Sequence, residues 1–168
     1  MGHVFISYSR HDTAFVERLE SDLNARGIQT WRDTESIVGG EEWYNAILNG
    51  IHGAYALLQI VTVHSNQSRW VKREALYADQ QGLPIIPILP ETCKIPFHLI
   101  EKQPVLCDEE HYADSFSQLI SAFSAMPQKS LQTSQSTAPS DTAVRQRERQ
   151  YLQFLLAETH ADLQSSLY

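Results

Sequence analysis

Residues 3–10, HVFISYSR, decide the fold. Val4, Phe5 and Ile6 are three consecutive apolar residues in a five-residue run, too short for a helix and too continuous for a half-exposed strand. The run reads as a strand covered on both faces, ending in the small hydroxyl and basic residues Tyr8, Ser9 and Arg10. Residues 12–26 follow at helical spacing, with Phe15, Val16, Leu19 and Leu23 on one stripe, Asp12 placed as N-cap and Gly27 as C′ residue. A strand feeding straight into a helix is the first half of a βαβ unit, and the alternation continues outward. Strands are expected at 28–31, 54–63 (AYALLQIVTV), 84–89 and 104–106. Helices are expected around Trp43, Ile47, Leu48 and Ile51, over 68–80, briefly near 97–100, and over 112–123 with Phe116, Leu119, Ile120 and Phe123. Five strands alternating with helices predict an α/β domain with a parallel sheet and helices on both faces. Such sheets hold ligands outside the carboxyl ends of their strands. Function is therefore expected in the loops 8–12, 32–42 and 64–68.

Composition narrows the classes. The chain has 168 residues, 42% of them hydrophobic, enough for one ordinary core and a short appendage. Thirteen basic and twenty acidic residues leave a charge of −7, which argues against nucleic acid and anionic membrane as partners. The apolar runs 55–58 and 83–89 fall short of a membrane span, and residues 1–3 carry no basic leader. Cys93 and Cys107 match no metal spacing and make a weak disulfide framework, so a reduced cytoplasmic compartment is expected. The seven histidines are scattered, and no metal site is expected. Residues 127–143 (PQKSLQTSQSTAPSDTA) are polar and poor in large apolar residues, and read as a flexible linker between a domain at 1–126 and a helical segment at 144–168. Tyr151, Phe154, Leu155 and Glu158 carry that helical pattern. The chain stops as apolar character returns, which reads as the start of a truncated downstream region of a longer protein.

Several chemistries lack their motifs. No GxGxxG follows the first strand, and no GxxxxGK[ST] or GxSxG occurs. A receiver-type phosphorylation site would need acidic residues after strand one and an Asp ending strand three, where Ser7–Tyr8–Ser9 and Thr62–Val63–His64 stand instead.

Three stretches stand together in the right order. They are Val4–Phe5–Ile6–Ser7–Tyr8–Ser9–Arg10; Trp31–Arg32–Asp33 with Ile37, Gly39, Gly40 and Trp43; and Ser68–Arg69–Trp70–Val71–Lys72–Arg73–Glu74. On these residues the chain resembles a TIR (Toll/interleukin-1 receptor) domain over roughly residues 3–125. FISYS resembles the family's box-1 strand, residues 33–43 its BB loop, and Ser-x-Trp-x-x-x-Glu the start of the helix bearing the glutamate of NAD-cleaving members. The resemblance implies a flavodoxin-like five-stranded parallel sheet. It also implies one of two functions. One is an NAD+ hydrolase releasing nicotinamide and ADP-ribose or a cyclic ADP-ribose. The other is a non-enzymatic adaptor working through TIR–TIR contacts. Adaptors commonly lack the glutamate, and this chain has Glu74. The resemblance further implies an effector domain of a prokaryotic-like immune protein, in antiphage defence or cell death. Such a domain would be switched on by self-association under a downstream sensor domain.

The residues themselves agree with the enzymatic reading. Trp70 and Glu74 lie one helical turn apart, with Tyr77 on the same stripe. An aromatic beside a carboxylate suits an N-riboside, the ring walling the site and the carboxylate facing oxocarbenium charge. Nicotinamide leaves from a pyridinium and needs no proton, so one carboxylate suffices. By resemblance Glu74 is catalytic, while Ser9, Arg10, Asp33, Glu35 and Trp70 meet the substrate NAD; Arg10 offers a charged fork to phosphate. Ile37, Gly39, Gly40 and Trp43 belong to the BB loop and assembly surface, with Gly39 where the family commonly has Pro. Plainer readings compete: Glu74 as a solvated helix residue, Arg10 as a surface cation, Asp33 as a turn residue. Trp31 and Trp43 would be structural, and Ser7 and Tyr8 would place the loop without touching substrate.

Overall fold

Strands β1 (His3–Ser7), β2 (Thr30–Arg32), β3 (Ala54–Ile60), β4 (Ile85–Leu89) and β5 (Val105–Leu106) form one sheet in the order β2-β1-β3-β4-β5. Every neighbouring pair is parallel. This is the doubly wound, flavodoxin-like order, in which the chain moves outward from β1 in one direction and then in the other. The computed structural model describes residues 2–32 and 41–126, with backbone only for 41–44. The expectations for Asp33, Glu35, Ile37, Gly39, Gly40, the Trp43 side chain, the linker at 127–143 and the helix at 144–168 lie outside the described residues.

Among the described residues four α-helices connect strands, α1 (Thr13–Ala25), α2 (Glu41–His52), α3 (Val63–Gln67) and α4 (Arg69–Gln80), and α5 (Tyr112–Ala125) follows β5. Alternation along the strands divides the apolar residues between two faces. Val4 and Ile6 of β1 join Ala56, Leu58 and Ile60 of β3 in a cluster with Val16, Leu19 and Leu23 of α1 and Phe116, Leu119 and Phe123 of α5. The intervening Phe5 looks the other way and stacks on Trp31, ring centroids 4.8 Å apart. Trp31 lies so close to α2 that a Cβ added to Gly50 would sit 2.8 Å from the indole. Glycine is required there by a ring, not by a turn. The C-terminus of α1 is a conformational case: Gly27 adopts φ 77°, and the Ile28 N–H donates back to the Leu23 carbonyl, closing the helix as its position predicted.

Three expectations change. The run 54–63 is not one strand, because β3 stops at Ile60 and Thr62 opens α3. Thr62 Oγ1 accepts from the Ser65 N–H, and Ser65 Oγ accepts from the Thr62 N–H, a reciprocal cap that overrides the apolar run and leaves Val63 exposed. Asp12 occupies the N-cap position of α1 but makes no capping bond. Its carboxylate accepts from the Thr62 hydroxyl at 2.8 Å, tying the loop after β1 to the loop after β3. The second strand is also displaced toward its C-terminus, to Thr30–Arg32, where Val4, Phe5 and Ile6 supply its partners.

Both cysteines are free. Cys107 lies in the core, and burial pushes its thiol up to about 11. Burial, with the charges of Glu91 and Asp12, also raises Cys93, whose thiol donates to the Val61 carbonyl. Neither offers much thiolate near neutral pH.

Candidate active site

The loop after β1 and the first turns of α4 enclose a cleft of about 380 Å³, lined by Tyr8, Ser9, Arg10 and His11 on one side and Ser68, Trp70 and Glu74 on the other. It opens at the carboxyl ends of the strands, as doubly wound sheets require. Four predicted residues, Ser9, Arg10, Trp70 and Glu74, meet here although more than fifty positions separate the two groups.

Ser68 starts the helix that carries two of them. Its Oγ accepts from the Val71 N–H at 3.4 Å, so Ser68 is the N-cap, with Trp70 in the first turn and Glu74 one turn on. Glu74 is only 9% exposed, which removes the reading of it as a solvated helix residue. A carboxylate so placed needs donors. Ser7, 1% exposed at the end of β1, donates from Oγ to Glu74 Oε2 at 2.5 Å. A bond this short fixes the carboxylate's rotamer.

Ser7 was expected to place the loop without touching substrate; the structure adds that its hydroxyl holds Glu74. The signal was present in the strand period. Ser7 is two residues beyond Phe5 and so shares its face, the face covered by α2 and α4.

Tyr8 also lines the cleft. Its hydroxyl accepts from Arg32 Nη1 at 3.0 Å, while Arg32 Nε donates to Glu20 Oε2 at 2.8 Å. This chain of bonds fastens the first loop to β2 and α1. His11 also lines the cleft and stacks on His64, centroids 4.4 Å apart. No motif reading identified His11, because only tertiary folding brings residues 11 and 64 together. Trp70 is half-buried, with the Arg73 guanidinium over its ring at 5.3 Å, an arrangement that fixes the indole plane. Tyr77 continues the stripe, but its hydroxyl meets His52 Nε2 at 2.7 Å and joins α4 to α2. Burial is the main cause that raises the Asp12 carboxyl above its usual range, partly offset by the Thr62 hydrogen bond. Among the described residues no three His, Cys, Asp or Glu side chains gather to hold a metal ion.

The fold and cleft define a doubly wound domain with a buried acid at the mouth of its sheet. The TIR domain family matches residues 4–120, and the chain belongs to that family. It is similar to mouse (Mus musculus) Toll-like receptor 6, 31% identical over 77 residues, which are 45% of this chain and 10% of that receptor. Among solved structures it is similar to the TIR domain of the Toll-related receptor TRR-2 from Hydra magnipapillata. The TM-score is 0.64 at 19% identity, covering 74% of this chain and 99% of that one. It also resembles a metazoan TIR-STING receptor from C. gigas solved with 2′,3′-cGAMP, TM-score 0.59 and 23% identity, over 72% of this chain and 40% of that one. A 2-desoxiribosyltransferase from Leishmania mexicana shares the fold, with TM-score 0.52 and 11% identity over 72% and 98% of the two chains. No helix among the described residues is long and apolar enough to cross a membrane.

Proposed function

We propose that this TIR domain hydrolyses NAD+ to nicotinamide and ADP-ribose, linear or cyclised, with Glu74 as the acid at the reacting carbon. The observation that carries the reading is the buried Ser7–Glu74 pair at the edge of a cleft that also holds Trp70 and Arg10. A carboxylate at low exposure needs a hydrogen-bond partner, and one so held at a cleft is a candidate for chemistry. Here it faces the ribosyl carbon as the C1′–N1 bond breaks. The bonding electrons leave with nicotinamide, neutralising its pyridinium charge, and positive charge grows on the ribosyl ring opposite Glu74. A water oxygen, or a nucleophile within the substrate for a cyclic product, then bonds to C1′ and its proton passes to solvent. Trp70 walls the nicotinamide. Ser9 and Arg10, beside the positive end of α4, take the pyrophosphate. By the family resemblance alone, Asp33 and Glu35 are assigned to the substrate as well. Fold likeness to a protein named as a desoxiribosyltransferase supports ribosyl chemistry on this architecture.

The reading extends to regulation. Self-association through the segment holding Ile37, Gly39, Gly40 and Trp43 gates the activity in the cytoplasm, under a sensor carried by a longer chain. The setting is immune or cell-death signalling. Nicotinamide release from NAD+, with the domain free and tethered at high density on beads, tests this. Turnover should rise steeply on tethering, and Glu74→Ala should reduce it at least about 100-fold. Silence of the tethered wild type would leave the domain as a scaffold acting through TIR–TIR contacts.

A further inference from the structure

Helix α4 has a second face. Trp70 and Glu74 line the cleft already described, while Lys72 and Leu76 line a separate groove of about 320 Å³ with Gln59, Ser65, Asn66, Pro96, Phe97 and His98. The two share a wall and a floor. Ser7 and Gln59 are register partners on β1 and β3, side by side on the sheet face beneath α4. Ser7 serves the first cleft. Gln59, 1% exposed, serves the second.

Gln59 is an unusual floor residue. An amide in the middle of an apolar parallel sheet carries both donors and acceptors to satisfy. His98 Nε2 meets Gln59 Oε1 at 3.3 Å, and burial with the nearby Lys72 ammonium keeps that imidazole neutral. Among the described residues nothing accepts from the Gln59 amide nitrogen, yet no fully buried polar atom lacks a partner, so that nitrogen reaches the groove. Lys72 makes no ion pair among the described residues, on a chain of net charge −7. Phe97 is 86% exposed at the rim, its ring available for stacking, with Leu76 38% exposed beside the groove.

We propose that this groove binds a nucleoside monophosphate, its base stacked on Phe97 with one edge accepting from Gln59, and its phosphate on Lys72. A nucleobase presents ring nitrogens and carbonyls in the plane of a flat apolar face. It therefore satisfies an in-plane amide donor and an exposed phenyl ring together. Lysine supplies a point charge for phosphate, and the groove's volume lies in the range of small-molecule sites. The position, outside the carboxyl ends of β3 and β4, is where this architecture accepts ligands. The proposal does not depend on NAD+ hydrolysis.

The test titrates the full 168-residue chain with 5′-AMP and follows backbone amide resonances. The expected result is saturable binding with shifts at Gln59, Lys72, Phe97 and His98. Phe97→Ala and Lys72→Ala should each weaken it about tenfold, and Gln59→Leu should weaken it too. The first two substitutions are at exposed positions, so they remain informative should Gln59→Leu impair folding. Trp70→Ala should leave the affinity unchanged. Three results would overturn the proposal: no saturation at millimolar 5′-AMP, loss of binding with Trp70→Ala but not Phe97→Ala, or ribose 5-phosphate binding as tightly as 5′-AMP.

Discussion

At the scale of single residues, the hydroxyl of Ser7 carries more consequence than its size suggests. It supplies a donor to a largely buried carboxylate. Ser7→Ala should lower kcat for nicotinamide release about tenfold with KM within about twofold, since the acid loses its fixed geometry while the substrate contacts remain. The same substitution should cost about 1–3 kcal/mol in urea unfolding, the penalty for stripping a donor from a buried charged acceptor. Ser7→Thr keeps the hydroxyl and should recover most of the activity; equal loss in both variants would contradict the positioning role. His98 gives a second residue-scale prediction. Burial, then Lys72, lowers its proton affinity below the ordinary 6.5, with Asp79 opposing. The unfolded chain therefore binds the proton more readily than the folded one, and stability rises with pH through the window below 6.5. Lowering the pH from about 7.5 to about 5.5 should depress Tm, and His98→Gln should flatten that fall, as thermal unfolding at several pH values will show.

At the scale of elements, the packing of β2 on α2 depends on Gly50. A methyl group there meets three indole carbons at 2.8–2.9 Å, so Gly50→Ala must displace Trp31 from its stack on Phe5. A loss of about 1–3 kcal/mol is expected, read from the urea midpoint with Trp fluorescence reporting the moved ring. Elements were legible in the sequence wherever one period ran unbroken. Helix α1 shows this with Val16, Leu19 and Leu23, as does β1 with its three apolar residues. Legibility failed where local polar bonds outvoted hydropathy. Residues 61–63 continue an apolar run, but the Thr62–Ser65 cap turns the chain. In the site, spacing on one helix was enough to pair Trp70 with Glu74. The partners that lie across the fold, Ser7 under Glu74 and His11 on His64, needed the sheet order that juxtaposes β1 and β3. Asp12 shows the same limit: its position was readable, its long-range bond to Thr62 was not.

At the scale of the whole molecule, charge opposes crowding. Beyond residue 126 lie four basic and four acidic residues, leaving nine and sixteen before it, so the entire −7 belongs to the TIR domain. Copies that gather, as the proposed gating requires, repel one another at long range. The Debye length falls from about 30 Å at 0.01 M salt to about 8 Å at 0.15 M. Nicotinamide release by the untethered domain should therefore increase over that range at fixed protein concentration, while bead-tethered protein responds less. A decrease with salt would show that local attraction dominates assembly.

The bond between Ser7 and Glu74 also spans 67 positions of chain. During synthesis at about 5–20 residues per second, the hydroxyl leaves the ribosome some seconds before the acid that it will hold. Until β3 and α4 have followed and docked, the acid has no fixed seat. Under the proposed NAD+ hydrolysis, activity would therefore arrive only after α4 has docked on β1.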